Sequence, residues 1–307
     1  MITVWQGSAN TWDCDEMGHM NVRVYVEKAM EGMGALAHAI KTPHAFRPKT
    51  PSTLIPVDQH IRYMREVHAG RPISMEACLL EVGETDMVVY QEMRHADGQP
   101  AAAFRTRYVH AEAKSGAPFP WSARSRAAME ALIGTPPKET APRSVKWPGP
   151  CLDDGQTTIA EADRIGAPKI GVGAVPPEHL DVLGRMRPEW IMGRLSDSVP
   201  SLLAAWRDRV AARQGKARTG GAVLEYRLVY RRWPRAGDLF EVRTGLGGTG
   251  EKTHSLVHWV LDPVSGGAWA TCEAVAVTFD IESRKIIPTE PEQIAELESL
   301  APTGLKV

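Results

Sequence analysis

Cysteine is scarce in this chain and unpaired in pattern. Four in 307 residues, Cys14, Cys78, Cys151 and Cys272, stand far apart with no Cys-x-x-Cys, which argues against a zinc site and against a disulfide framework. Reduced, structural thiols are expected, with no metal and no cofactor. An excess of charge is also lacking: 36 Lys and Arg balance 37 Asp and Glu, so no global field holds a polyanion, and nucleic acid is not an expected partner. A local basic cluster can still hold a single phosphate. No apolar run reaches the roughly 18 residues of a membrane span, and the start, Met1-Ile2-Thr3-Val4-Trp5-Gln6, lacks the basic and apolar regions of a signal peptide. A cytoplasmic protein without a membrane partner is expected. What the chain does have is 43% hydrophobic residues and 24% charge, enough for a real core, and a length that suits two domains better than one.

The strongest positive signal is a repeat. The run Asp13-Cys14-Asp15-Glu16-Met17-Gly18-His19-Met20-Asn21 shares an Asp-x-x-Gly-x-Met frame with Asp181-Val182-Leu183-Gly184-Arg185-Met186, so that 15, 18 and 20 return as 181, 184 and 186. Tyr63, Arg65 and Gly70 return as Tyr230, Arg232 and Gly237, one residue further on. Two copies of one unit, fused head to tail, explain both echoes. The copies differ most at polar positions, which is where function is to be sought.

Each half reads as a short strand, a polar turn, one long helix and then four strands. In the first half a strand is expected over Thr3 to Ser8 and a helix from Asn21 to about Ile40. Val22, Tyr25, Val26, Ala29, Met30, Met33, Leu36 and Ala37 recur on that helix at spacings of three and four. Asn21 suits its N-cap, and Pro43, Pro48 and Pro51 close it. Strands follow near Val57 to Val67, Ile73 to Glu81, Met87 to His95 and Ala101 to Ala111, then a helix around Ser122 to Leu132. Pro136, Pro137, Pro142, Pro148 and Pro150 mark an extended connector. The second half has a strand near Ile170 to Val175, a helix from Pro188 to Arg213 that Pro200 should kink or divide, and strands near Val223 to Trp233, Leu239 to Leu246, Thr253 to Asp262 and Trp269 to Phe279. The divisions read are 1–133, a connector over 134–165, and 166–307. Helix against antiparallel sheet, duplicated, is an α+β architecture in which each copy can supply the other's missing sheet partner.

The segment from Trp12 to Tyr25, with Asp15, Gly18-His19, Asn21 and Tyr25 in place, resembles the helix-entry motif of the hotdog-fold acyl-CoA thioesterases of the 4-hydroxybenzoyl-CoA thioesterase type. The resemblance implies two tandem hotdog units, a covalent version of a dimer, with the sheets side by side and further self-association of this pseudo-dimer. It also implies an acyl-CoA substrate whose acyl tail lies in the seam between the units, Asp15 as the catalytic carboxylate, and Val22 as the residue whose backbone N–H polarises the thioester carbonyl. The chemistry agrees: thioester hydrolysis needs a carboxylate to attack or to activate water, and donors aimed at the developing oxyanion. Asp15 can be the first, and the backbone N–H groups of Asn21 and Val22 at a helix N-terminus the second. Gly18 would allow close approach of the turn to substrate, and His19 would hold the turn or contact substrate. A hotdog hydratase or dehydratase and a non-catalytic acyl-thioester-binding protein are the alternatives.

Plainer readings stand beside these. Asp before a helix commonly bonds turn N–H groups, Asn21 can be a simple cap, Asp13 a surface or turn residue, and Glu27 a solvated helix residue or a carboxylate that assists water. In the second copy Asp181 and Gly184 are kept while Arg185 and Arg187 replace His19 and Asn21. Three readings follow: a degenerate site whose arginines hold CoA phosphates or an acidic acyl group, a second working site built on Asp181, or two solvated arginines. Ser196-Asp197-Ser198 lines a cleft or fits a helix kink. The strand bearing Arg227, Arg231, Arg232 and Arg235 is a solvated face or a phosphate contact. The nine tryptophans are core and interface anchors.

Overall fold

A computed structural model describes residues 1–213 and 219–307. The fold is α+β, two tandem hotdog units in which a long helix packs on an antiparallel sheet. By contact the chain divides into one unit made of 1–142 with 180–192, and another made of 143–179 with 193–307.

In the first unit five strands, β1 (Ile2–Ser8), β2 (Ser52–Tyr63), β3 (Pro72–Val82), β4 (Asp86–His95) and β5 (Pro100–Glu112), pair antiparallel in the order β1-β3-β4-β5-β2. Helix α1 (Val22–Ala39) lies on this sheet. Its buried residues, Val24, Tyr25, Val26, Ala29, Gly32, Met33, Leu36 and Ala37, form the stripe expected from their spacing. At closest approach only a glycine fits: a Cβ on Gly32 would stand 3.0 Å from Val4 Cγ2 and 3.2 Å from Gln91 Nε2. The buried Gln91 side chain donates to the Ala29 carbonyl at 2.8 Å, so a polar residue on the inner face is satisfied by the helix it supports. Strand β2 begins five residues before the expected start because Pro56 is accommodated at a bulge between Pro56 and Asp58. A short helix, α2 (Ala123–Glu130), capped by Ser122, follows β5.

The second unit repeats the sheet with β6 (Lys169–Ala174), β7 (Thr219–Tyr230), β8 (Leu239–Thr249), β9 (His254–Leu261) and β10 (Ala268–Asp280), in the order β7-β10-β9-β8-β6. Helix α4 (Pro188–Arg213) is undivided despite Pro200. Within this unit Arg194 lies over Phe240 and the Trp206 ring meets His254 edge-on. Ser198 returns its hydroxyl to the Arg194 carbonyl at 2.6 Å, which accounts for this serine without a cleft. Here the strand yields instead of the helix, since a Cβ on Gly171 would fall 2.1 Å from Ser198 Oγ. Two short helices, α3 (Ile159–Arg164) and α5 (Pro291–Glu298), complete the unit.

The connector is tied to the second unit by β7. Glu225, buried, accepts N–H bonds from Arg143, Ser144 and Val145. The Arg227 guanidinium donates to the carbonyls of Gly149 and Pro150, and Arg231 to Leu152. These arginines are therefore structural donors rather than a solvated face or a phosphate patch. Among the described residues no helix is long and apolar enough to cross a membrane.

Candidate active site

Both Asp-x-x-Gly-x-Met frames fall in the first unit, and both fold into the same turn. The Asp15 N–H donates to the His19 carbonyl at 2.8 Å, and the Gly18 N–H donates to the Asp15 carbonyl at 3.0 Å. In the second frame the Asp181 N–H donates to the Arg185 carbonyl at 2.7 Å, and the Gly184 N–H to the Asp181 carbonyl at 3.0 Å. Each glycine holds a positive φ, +79° and +76°, a conformation that excludes most L side chains. Nothing lies within 4 Å of a Cβ built on Gly18, so backbone conformation, not crowding, is what requires glycine there. One carboxylate oxygen of each Asp accepts two backbone N–H groups. Asp15 Oδ1 takes those of Met17 at 2.9 Å and His19 at 3.2 Å, and Asp181 Oδ1 those of Leu183 at 2.8 Å and Arg185 at 3.0 Å.

The frames part company at the other oxygen. Asp15 is half-buried and its Oδ2 has no hydrogen-bond partner among the described residues. Asp181 Oδ2 is taken by the Arg185 guanidinium, at 3.0 Å from Nε and 2.9 Å from Nη2. Two guanidinium N–H groups converging on one carboxylate oxygen make a strong, charge-assisted pair. It neutralises the second carboxylate and uses the Arg185 charge locally, with Nη2 also 3.5 Å from Thr53 Oγ1.

The helix starts differ as well. Asn21 caps α1 by accepting the Arg23 N–H at 2.9 Å, and its own N–H donates to the Asp13 carbonyl at 2.8 Å. The expectation that the Asn21 N–H serves as an oxyanion donor is therefore corrected: that group is committed, and Asn21 positions the helix. Val22, first in the helix, has an N–H for which α-helix geometry supplies no acceptor. At the equivalent position α4 begins with Pro188, which has no N–H at all. The sequence carries this signal, since 22 and 188 stand in the same register as 15 and 181, and the motif reading passed over it.

His19 is nearly buried, and its Nε2 stands 3.3 Å from Glu66 Oε2. The ring packs edge-on against His68, with centroids 5.0 Å apart, and His68 Nδ1 contacts the Gly18 carbonyl at 3.2 Å. Glu66 and His68 follow β2 and escaped the sequence reading. Asp13, expected at the surface or in a turn, is a buried turn residue whose carboxylate accepts the Asn10 N–H at 2.8 Å.

Glu27 pairs with Arg23 at 2.8 Å, and Arg23 stacks over Trp190 at 4.4 Å. Arg187 pairs with Glu189 at 3.2 Å. Burial raises the Glu189 carboxyl above the usual carboxylate range, and the Arg187 cation only partly opposes this. Neither second-frame arginine is a free cation.

The Thioesterase-like superfamily model matches residues 9–131 and again 175–297. The chain belongs to this superfamily. The two matched segments stand in the register of the two turns. No curated protein matches it in sequence. Among solved structures, a protein assigned as an oleoyl thioesterase from Lactobacillus plantarum is similar at a TM-score of 0.67 and 10% identity, covering 93% of this chain and 96% of its own. The 12:0-ACP thioesterase from Umbellularia californica gives 0.63 and 12%, covering 89% and 92%. An acyl-ACP thioesterase from Bacteroides thetaiotaomicron gives 0.61 and 12%, covering 89% and 96%. At these identities the likeness is one of fold, in its tandem form.

Proposed function

We propose that the chain hydrolyses an acyl-CoA thioester to the free acid and CoA at the first frame. Asp15 takes a proton from water as the water oxygen adds to the thioester carbonyl, or adds to the carbonyl itself. The Val22 N–H, at the positive end of α1, stabilises the oxyanion. The C–S bond then breaks and the departing thiolate takes up a proton; where Asp15 itself has added, water then hydrolyses the acyl–Asp15 anhydride, which frees the acid and restores the carboxylate. Glu66 orients the His19 ring beside the turn. The observation that carries the reading is the contrast between two folded copies of one turn. Only the first leaves a carboxylate oxygen unpaired beside a helix start with an available N–H. Arg187, at the surface end of its pair, is the contact proposed for an anionic part of the substrate.

Acyl carrier protein is the second carrier to consider, because two full-length structural relatives are acyl-ACP thioesterases. Both carriers present the acyl group on the same phosphopantetheine thioester. A panel of acyl-CoA and acyl-ACP substrates, read by free-thiol release with wild type and Asp15→Asn, tests the reading. Release by wild type that the variant loses supports it, and faster release from acyl-ACP moves the substrate to the second carrier. No release from any thioester, or equal release by both proteins, rejects it.

A further inference from the structure

We propose that His19, Glu66 and His68 form a binding site for a zinc-type divalent ion, and that its occupancy slows hydrolysis. Glu66 Oε2 stands 3.3 Å from His19 Nε2 and 3.9 Å from His68 Nε2, and the three ligand atoms all lie within 4.8 Å of one another. Tetrahedral zinc with bonds of about 2.0–2.1 Å separates neighbouring ligand atoms by about 3.4 Å. The observed edges require only small side-chain movements to reach that value. Two of the three side chains are exposed, so the ion can enter without unfolding the turn.

Orientation favours a metal as well as distance. His68 Nδ1 is engaged by the Gly18 carbonyl at 3.2 Å, an acceptor that fixes the proton on Nδ1 and leaves the lone pair on Nε2, which stands 3.9 Å from Glu66 Oε2. A carbonyl on the far ring nitrogen is the usual way a ligating histidine is oriented. The backbone reinforces the arrangement, since His19 and His68 face one another in an antiparallel bridge. Two imidazoles and one carboxylate suit zinc better than calcium or magnesium, and leave a fourth position to water. Cysteine spacing argues against a thiolate zinc site and is silent on this one. A bound ion would hold the His19 ring and the Glu66 carboxylate against itself and pin the turn that carries Asp15. This second half of the proposal rests on the function proposed above, and the binding does not.

Titration of the metal-free full-length chain with zinc chloride, followed calorimetrically, should show one ion per chain. His68→Ala and Glu66→Gln should each weaken binding at least about tenfold, with thermal melts close to wild type. No binding by wild type, or undiminished affinity in both variants, would overturn the site. With an acyl-CoA substrate, one equivalent of zinc should lower wild-type turnover, a chelator should restore it, and His68→Ala should be insensitive. Bound zinc without change in turnover would overturn the inhibitory half. A chain that binds zinc yet hydrolyses nothing would reject the proposed function and leave the site standing.

Discussion

At the scale of single residues, Val22 and Pro188 offer the sharpest contrast between the copies. Asn21, which precedes Val22, has φ −61° and ψ 142°, a conformation compatible with a following proline, and the first helical position tolerates proline well. Val22→Pro should therefore leave the thermal melt almost unchanged while removing one N–H. Steady-state kinetics should show kcat lowered about 10²–10³-fold if that N–H stabilises the oxyanion. Unchanged kcat would assign the carbonyl to another donor. The Asp, Gly and Asn of the first frame were legible because turn and cap chemistry is local in sequence. Glu66 was not, because it reaches His19 only through the path of β2. The closure of Asp181 was hidden for another reason: an arginine four residues on reads equally well as solvated until the turn geometry points it back.

Among the elements, α1 was readable from its spacing, and a deep core position tests the stripe. Met33, fully buried, should cost about 2–5 kcal/mol when replaced by Ala, measured by urea denaturation. A loss below about 1 kcal/mol would mean that the helix is not anchored there. The existence of the strands and their succession along the chain were also legible, whereas their order in the sheet was not, and the start of β2 was obscured by Pro51 and Pro56, residues that ordinarily punctuate a strand. Helix α3 went unread because six residues give too few turns for a periodic signal. Arg227 of β7 and Arg231 just after it were misjudged because their partners are backbone carbonyls of a proline-rich segment, which no side-chain pattern announces. Arg227→Ala should lower stability by about 1–3 kcal/mol and speed amide exchange over 143–152. Unchanged exchange there would show that the connector is held by other contacts.

For the molecule as a whole, buried histidines set the response to acid. Burial pushes His258 down to about 4, and His110 and His254 shift in the same direction for the same reason. The unfolded chain then binds more protons than the folded one from about pH 6.5 downward, so stability falls as pH drops through that window. His258 alone contributes a loss of about 2 kcal/mol between pH 6.5 and 5. Melting temperatures should fall over this range in wild type and fall less in His258→Gln, and parallel curves would exclude His258 as a main source. The two turns are built on the same hydrogen bonds, and the proposed function makes the first the working turn and the second the closed one. Turnover of the best acyl thioester by Asp15→Asn and Asp181→Asn, measured side by side with wild type, tests that claim most directly. The account predicts a loss of at least about a hundredfold in kcat for Asp15→Asn and a change within about threefold for Asp181→Asn, since its carboxylate is already closed by Arg185. Equal losses in the two variants, or wild-type turnover in Asp15→Asn, would contradict it.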